Sequence, residues 1–143
     1  RRFTPLLQKQ SSVADPSRVI ITGSVAGLTV GSLGASGAYS YAASKAAVLH
    51  LARNLAVELG PRHILVNGIA PGFFPSKMAN VLMERSGGSD ALSRASPNGR
   101  VGRAEDVAAA VVFLASRAGG HVNGDTIVLD GGKIWGSNAL EKL

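Results

Sequence analysis

The feature that most constrains this chain is the alternation of short apolar runs with two long helical stretches. Residues 41–59 and 104–116 are rich in alanine and contain neither glycine nor proline, which is typical of helices. Around them lie three short runs rich in β-branched residues, 18–22, 64–69 and 126–129, which are typical of buried strands. Strands that alternate with helices form right-handed βαβ units, so we predict a parallel sheet with helices on its faces.

Composition limits the alternatives to this α/β prediction. The 143 residues suit one domain with a sizeable core, and the 18 glycines are about twice the usual share of roughly 7%. Cysteine is absent, which excludes a disulfide scaffold, a thiolate nucleophile and a cysteine-ligated metal site. The three histidines are too far apart in sequence to form a helix-borne metal pair, so we expect no metal site.

Charge and hydropathy indicate which partners and which cell compartment to expect for the protein. Its formal net charge is +6, but the arginines are scattered, and only two tyrosines and one tryptophan could stack on bases. We therefore expect solvated surface charge and no nucleic-acid partner. No apolar run approaches the roughly 20 residues that span a bilayer, so we expect a cytoplasmic protein without a membrane partner.

Tyr41 and Lys45 are the first residues whose spacing points to chemistry. They are four apart at the start of a predicted helix, which places them on one face about one turn apart. A phenol is a poor acid or base at neutral pH, and a nearby ammonium favours its phenolate form. Such a pair can give a proton to a carbonyl oxygen or take one from an alcohol, although the same spacing also occurs on many helix surfaces without function.

Two further groups follow the predicted strands directly. Ser24 comes after the strand at 18–22, and Pro71-Gly72 comes after the strand at 64–69. Ligands bind outside the carboxyl ends of strands in a parallel sheet, so these residues face the expected crevice. The Ser24 hydroxyl could hold a substrate carbonyl, while Pro71-Gly72 would let a flat ring approach the backbone closely.

Five motifs together resemble the C-terminal half of a short-chain dehydrogenase/reductase. They occur in the order of that family and at roughly its spacing, and they span 115 of the 143 residues. They are Ser24 after its strand, Tyr41-Ala42-Ala43-Ser44-Lys45, Asn67-x-Ile69-x-Pro71-Gly72, Gly102-Arg103-x-Glu105-Asp106-Val107 and Asp130-Gly131-Gly132. Residues 73–78 and 32–36 look similar to a branch that contains ketoacyl-carrier reductases of rhamnolipid synthesis.

The resemblance implies a catalytic role for three residues. Tyr41 would be the general acid/base of an NAD(P)-dependent oxidoreductase that reduces a carbonyl or oxidises a secondary alcohol. Lys45 would favour the Tyr41 phenolate and bind the nicotinamide ribose. Ser24 would orient the substrate carbonyl. The implied fold is the C-terminal part of a doubly wound, Rossmann-type sheet.

The resemblance also implies how the cofactor and partners are held. NADP is the favoured cofactor, with NAD as the alternative. Its nicotinamide side would contact Tyr41, Lys45, Pro71, Gly72, the backbone at Phe74 and the hydroxyl of Ser76, which stands where the family has a threonine. The substrate would be a small carbonyl or alcohol compound, including an acyl thioester, and the full-length protein would form a homo-oligomer. Residues 73–99 would be a substrate lid.

Two departures from the family pattern lie between Ser24 and Tyr41. The two residues are 17 positions apart, a few more than is usual, so the loop from Leu28 to Gly37 should bulge outward. Tyr39 lies nearby but has Ala43 rather than a lysine four residues later. We therefore predict a packing role or a place at the substrate rim for Tyr39.

The turn at residues 22–29 imitates the glycine-rich turn that cradles a dinucleotide pyrophosphate, but we predict that it is not one. Thr29 replaces the last glycine, and no helix is expected to begin there. Residues 1–143 would then be a single partial domain, with the dinucleotide-binding half expected upstream. On that view the chain alone would be inactive, bind neither NAD nor NADP at submillimolar concentration, and self-associate through the bare edge of the first strand.

A different class of function stays open at this point. The chain could be a truncated, non-catalytic module that only associates with full-length relatives. The small residues Ala42, Ala43, Ala46 and Ala47 would permit close helix–helix packing in such a module.

Overall fold

The computed structural model describes residues 2–30 and 33–136. Within them, three parallel strands form one sheet in the order β1-β2-β3. The strands are β1 (Ser17–Thr22), β2 (Ile64–Pro71) and β3 (Thr126–Leu129). The predicted parallel sheet is confirmed, and β2 runs two residues beyond the predicted end. It does so because β3 supplies partners there, with Pro71 opposite Leu129.

Six α-helices accompany the sheet in the described residues. They are α1 (Thr4–Gln8), α2 (Tyr39–Leu59), α3 (Lys77–Arg85), α4 (Gly88–Arg94), α5 (Ala104–Ala115) and α6 (Lys133–Gly136). The two predicted long helices are confirmed as α2 and α5. The predicted start of α2 was two residues late, and the predicted end of α5 was one residue late, because Ser116 has extended backbone.

Helices α2 and α5 cover opposite faces of the sheet. Ile64 and Val66 of β2 pack with the buried face of α2, whereas Ile69 packs with Ala110 and Leu114 of α5. Residues of a strand alternate between faces, so even and odd positions of β2 serve different helices. The central strand is therefore buried on both sides, as its continuous apolar sequence predicts.

Two asparagines fix β3 and its preceding loop to β2. The buried Asn67 donates from Nδ2 to the Val122 carbonyl (2.7 Å) and accepts at Oδ1 from the Asp125 N–H (3.1 Å). Asn123 accepts from the Val66 N–H (2.9 Å) through its own side chain. Asn67 is thus a satisfied core residue that sets the position of the strand ends.

The carboxyl ends of all three strands lie at one edge of the sheet. The loops that begin at residues 23, 72 and 130 therefore emerge at the same edge. Beyond the second loop, residues 77–94 form the short helices α3 and α4, which are joined through Gly87 and Gly88 with φ of 87° and 83°. The role of residues 73–99 as a lid stays a prediction.

Candidate active site

Tyr41 and Lys45 lie in the first two turns of α2, and the Lys45 ammonium reaches the end of β1. The Lys45 Nζ is 5.6 Å from the centroid of the Tyr41 ring. The same ammonium donates to the carbonyl of Thr22, the last residue of β1, at 3.1 Å. Lys45 thus joins the tyrosine to the strand end that precedes Ser24, while the Tyr41 side chain stays 38% exposed.

Ser24 is buried at the start of a short 3-10 turn. Its side chain is at the amino end of residues Val25–Gly27 and accepts from the Ala26 N–H at 3.2 Å. In that bond the serine oxygen is the acceptor, so the hydroxyl keeps its hydrogen to donate to a carbonyl oxygen. The turn therefore holds the Ser24 oxygen in place, and this bond does not use the hydroxyl hydrogen.

Glycines bring this turn directly against α2. A Cβ on Gly27 would lie 2.5 Å from the carbonyl carbon of Lys45 and 2.6 Å from the amide nitrogen of Ala46. A Cβ on Gly23 would lie 2.5 Å from the side chain of Leu49. Only a residue without a side chain permits these approaches, so the sequence itself fixes the Ser24 turn beside the Tyr41 helix.

The segment after β2 is held by its backbone. The Gly72 N–H donates to the Leu129 carbonyl at 2.9 Å, and a Cβ on Gly72 would lie 2.7 Å from the Cβ of Asp130. The Phe73 carbonyl accepts from the Gly102 N–H at 2.9 Å, and the Phe74 ring packs against Gly102. The backbone from Pro71 to Phe74 is therefore fixed at the edge where the other two strands also end.

Ser76 directly precedes helix α3. Its Oγ accepts from the Ala79 N–H at 3.1 Å, and its carbonyl accepts from the Asn80 N–H at 2.9 Å. The Ser76 side chain is exposed. As in Ser24, its oxygen accepts the hydrogen bond and its hydroxyl hydrogen is not used in it. Its hydroxyl can still donate to a ligand at the loop after β2.

An ion pair that no sequence pattern indicates lies near the end of β3. Arg100 donates two hydrogen bonds to Asp106, at 2.6 and 2.8 Å, and Asp106 also accepts from the Arg103 N–H at 2.8 Å. The Arg100 side chain, helped by the Arg103 N–H, lowers the pKa of Asp106 to about 2. Arg100 is six residues from Asp106, and no periodic pattern links such a loop residue to the start of α5.

The Arg100–Asp106 pair lines a pocket of about 190 Å³ together with Phe74, Asn98 and Asp130. Both carboxylate oxygens of Asp130 are used locally, by the N–H groups of Gly132 (2.9 Å) and Ile134 (2.7 Å). The charged groups that line this pocket are thus used in hydrogen bonds that hold the surrounding backbone in place.

Lys133 is a second residue that sequence reasoning missed. Its Nζ lies 4.7 Å from the centroid of the Phe73 ring, and burial lowers the pKa of the ammonium. The aromatic ring stabilises the cation there. A lone lysine after the Asp130-Gly131-Gly132 motif gives no sequence signal for this contact.

Residues 2–30 and 33–136 contain neither a metal-binding cluster nor a membrane-spanning helix. Over these residues, no group of three or more histidine, cysteine, aspartate or glutamate side chains could hold a metal ion. In the same ranges, every helix is too short or too polar to cross a bilayer.

Comparison with known proteins decides the family. A family model described as Enoyl-(Acyl carrier protein) reductase matches residues 1–133. The rhamnolipids biosynthesis 3-oxoacyl-[acyl-carrier-protein] reductase of Pseudomonas aeruginosa is 44% identical over 132 residues, which cover 92% of this chain and 50% of that protein. This chain belongs to the short-chain dehydrogenase/reductase family.

Other members of the short-chain dehydrogenase/reductase family match over similar lengths. The short-chain reductase protein NovJ of Streptomyces niveus is 40% identical over 110 residues, which cover 73% of this chain and 42% of NovJ. The chain thus spans about half the length of the curated relatives it matches, or less.

Solved structures of the family confirm the Rossmann-type fold. The RhlG/NADP active-site complex of Pseudomonas aeruginosa superimposes with a TM-score of 0.80 at 44% identity, covering 90% of this chain and 51% of that one. A gluconate 5-dehydrogenase from Burkholderia cenocepacia, in complex with NADP and tartrate, gives a TM-score of 0.73 at 33% identity, covering 82% and 45%.

Among the described residues, the donors and the backbone at the strand ends suit the nicotinamide end of a dinucleotide, whereas the turn after β1 does not suit its pyrophosphate. Lys45 and Ser76 keep donors that would hold the nicotinamide end, and the backbone at Gly72 is fixed by its bond to the Leu129 carbonyl. The turn after β1 does not fit a pyrophosphate, because its successive N–H groups at residues 26–29 bond to Ser24 and Val25. A 3-10 turn, rather than the α-helix of a pyrophosphate site, follows β1.

Proposed function

We propose that this chain carries the proton-transfer half of an NAD(P)-dependent oxidoreductase that reduces a carbonyl or oxidises a secondary alcohol. The observation that carries the proposal is the position of Lys45. Its ammonium lies over the Tyr41 ring and donates to the Thr22 carbonyl, so helix α2 and the end of β1 meet at one charge. A tyrosine, a lysine and the Ser24 hydroxyl around one strand end suit proton exchange with a carbonyl oxygen.

In the reducing direction, each residue has one task. Ser24 donates its hydroxyl hydrogen to the substrate carbonyl and orients it. Tyr41 gives its phenolic proton to that oxygen as negative charge develops, and the Lys45 ammonium stabilises the phenolate that remains. The nicotinamide cofactor, when bound, supplies the hydride. In the oxidising direction Tyr41 takes the proton back from the alcohol.

The cofactor proposal follows from the same edge of the sheet. NADP is the favoured cofactor, since the structures with TM-scores of 0.80 and 0.73 are NADP complexes, and NAD is the alternative. The nicotinamide side would be held by Tyr41, Lys45, Pro71, Gly72, the Phe74 backbone and Ser76. The substrate would be a small carbonyl or alcohol compound, including an acyl thioester, because the Pseudomonas aeruginosa relative is named as an acyl-carrier reductase.

The proposal also includes the assembly and location of the protein. A protein that contains this chain and the remainder of the family fold would be a cytoplasmic homo-oligomer. Sedimentation velocity and cell fractionation of such a protein test these two predictions separately from its chemistry.

The test uses a chimera in which residues 1–143 follow the half of the Pseudomonas aeruginosa reductase that this chain does not cover. Tyr41→Phe should lower the rate of NADPH consumption by about 10²–10⁴-fold, because the acid that protonates the carbonyl is lost. NADPH affinity should stay nearly unchanged. The exposed α2 variant His50→Gln is the control and should keep full turnover. Undiminished turnover of the Tyr41→Phe chimera would refute the assignment.

A second candidate is a non-catalytic oligomerisation module. It is favoured by one observation: Ala43, Ala46 and Ala47 are exposed on α2. Small exposed residues allow the backbone of another helix to approach closely. If this is the function, Ala47→Arg should abolish association of residues 1–143 in sedimentation velocity, and Tyr41→Phe should change neither association nor any activity of the chimera.

A further inference from the structure

Lys133 is a cation that the proposed chemistry does not use, and it lies at the edge of the sheet where the strands end. It begins helix α6, shortly after the last residue of β3. Its Nζ lies 4.7 Å from the centroid of the ring of Phe73, which directly follows Pro71-Gly72. The Lys133 side chain therefore connects the segment after β3 with the segment after β2.

The segment that carries Lys133 packs closely against Pro97 and Asn98. A Cβ on Gly131 would lie 2.3 Å from the Oδ1 of Asn98, and a Cβ on Gly136 would lie 2.7 Å from the Cγ of Pro97. The Asn98 N–H also donates to the Gly131 carbonyl, at 3.3 Å. Because residues on either side of Lys133 are held in this way, the lysine has a defined place at the strand ends.

The Lys133 ammonium has hydrogen-bonding capacity that the protein does not fill. Within the part of the chain that the structure describes, its Nζ forms neither a hydrogen bond nor an ion pair. Asp130 attracts the ammonium, but its two carboxylate oxygens accept from the N–H groups of Gly132 and Ile134, at 2.9 and 2.7 Å. Lys133 is half-buried, and this burial lowers the pKa of the ammonium. A cation that has lost hydration without gaining an anionic partner favours an anionic ligand.

The sheet order relates Lys133 to the reacting groups. Ser24 follows β1, and only β2 separates β1 from β3. Neighbouring strands lie about 4.8 Å apart, so the ends of β1 and β3 are about 10 Å apart. A ligand with its carbonyl beside Ser24 and an anionic group beside Lys133 would therefore lie across the end of β2. Such a ligand needs a spacer of several carbon atoms between the two groups.

We propose that Lys133 binds the carboxylate of an oxo-acid substrate and so determines specificity for a carbonyl compound with a remote anionic group. The inference rests on the proposed function, which places the carbonyl at Ser24 and Tyr41. The carboxylate would accept charge-assisted hydrogen bonds from the Lys133 N–H groups. The Phe73 ring would keep the ammonium in place, since a cation over an aromatic face is stabilised electrostatically.

The test is a titration of residues 1–143 followed by amide proton–nitrogen NMR spectra. The probe is 7-oxooctanoate, and its methyl ester is the matched uncharged ligand. We expect saturable shifts of the Phe73, Lys133 and Ile134 amides with the acid and much smaller shifts with the ester. Equal shifts with both ligands, or no shifts with the acid, would overturn the proposal. Equally tight binding of acetate would also overturn it, because the carbonyl and the spacer would then contribute nothing.

Variants separate the charge of Lys133 from its packing. Lys133→Met keeps a long side chain without the charge, so it should weaken binding of the acid by about tenfold and leave binding of the ester unchanged. Lys133→Arg keeps a charge that stacks on aromatic rings, so it should bind the acid within about threefold of the parent chain. Lys9→Met, at an exposed lysine, is the control and should bind both ligands like the parent chain. Unchanged binding of the acid by Lys133→Met would refute the role of this residue.

The chimera tests the same residue in turnover. Lys133→Met should raise the KM for 7-oxooctanoate by about tenfold, with kcat nearly unchanged, because only binding of the carboxylate is lost. The KM for the methyl ester should not change. A fall in kcat with both substrates would contradict the proposal, since the variant would then have disturbed the reacting groups.

This proposal and the proposed function fail in different ways. Binding of the acid at Lys133, together with undiminished turnover of the Tyr41→Phe chimera, would leave the carboxylate site and remove the proposed proton transfer. Loss of turnover in the Tyr41→Phe chimera, without any preference for the acid over the ester, would remove the carboxylate site alone.

Discussion

Two groups of polar side chains lie near the carboxyl edge of the sheet. They differ in how much of their hydrogen-bonding capacity is already used within the protein. Arg100 and Asp106 bind each other twice, and Asp130 binds two backbone N–H groups. By contrast, among the described residues the Lys45 ammonium uses one of its three donors, on the Thr22 carbonyl. The Ser24 hydroxyl acts there only as an acceptor.

This difference distinguishes side chains that fix the backbone from side chains that can act on a ligand. A polar group whose bonding capacity is filled inside the protein fixes the backbone and has little left for a ligand. A group held in place by one bond, with donors remaining, is positioned and still reactive. On this criterion we propose that the β1–α2 region is the reactive part of the edge and that the region around β3 and α5 supports it.

The largest effect that would test this contrast is expected at Lys45. In the chimera, Lys45→Met should lower turnover by about 10²-fold or more, because the charge that stabilises the phenolate is lost. The matched support variant is Arg100→Met, which should change thermal stability much more than turnover. If the two variants were to affect turnover equally, the division into reactive and supporting groups would be wrong.

The next largest effect is expected at Gly27, which lets the turn after β1 pack directly against α2. Gly27→Ala should cost about 1–3 kcal/mol of unfolding free energy, because its Cβ would meet the α2 backbone at Lys45 and Ala46. Gly34→Ala is the control, since no atom lies within 4 Å of its Cβ and only the backbone strain of positive φ remains, about 1 kcal/mol. Urea denaturation measures both, and an equal or larger loss at Gly34 would contradict the packing account.

The smallest effect is a pH dependence in the supporting region. The fold lowers the pKa of Asp106 from its usual 3.8 to about 2, so the ionised carboxylate is the form that stabilises the start of α5. This contribution is fully present above about pH 4 and is lost as the pH falls towards 2. The melting temperature should therefore fall more steeply between pH 4 and 2 in the parent chain than in Asp106→Asn.

Glu58→Gln, an exposed carboxylate on α2, is the matched control for that titration. It should follow the parent chain across the same pH range. A parent-like slope in Asp106→Asn would show that the Arg100 pair does not stabilise the folded state.

Much of the fold was predictable because it depends on local patterns. The runs at 18–22, 64–69 and 126–129 are short and rich in β-branched residues, and the β1-β2-β3 sheet confirms them. The absence of glycine and proline over 41–59 predicted most of α2. The bounds of α4 were not predictable, because this helix is only seven residues long and begins at Gly88, directly after Gly87.

The candidate site was predictable only as far as its side chains have a fixed spacing. Tyr41 and Lys45 share a helix face, and the structure brings them together. The partner of Lys45 is a backbone carbonyl, at Thr22, and a carbonyl has no residue type that a sequence could reveal. The Arg100–Asp106 pair joins a loop to a helix start, and such contacts depend on the folded path of the chain.

The central proposal is that this chain holds the proton-transfer residues and the nicotinamide side of a cofactor site, and that the described turn after β1 is not a pyrophosphate site. Titration calorimetry of NADPH into residues 1–143 tests it most directly, with the chimera as the positive control. The N–H groups of the turn after β1 are already bonded, and the nicotinamide contacts alone do not offset the freedom lost on binding. We expect no binding by the chain at submillimolar NADPH and clear binding by the chimera; micromolar binding by the chain alone would contradict the account.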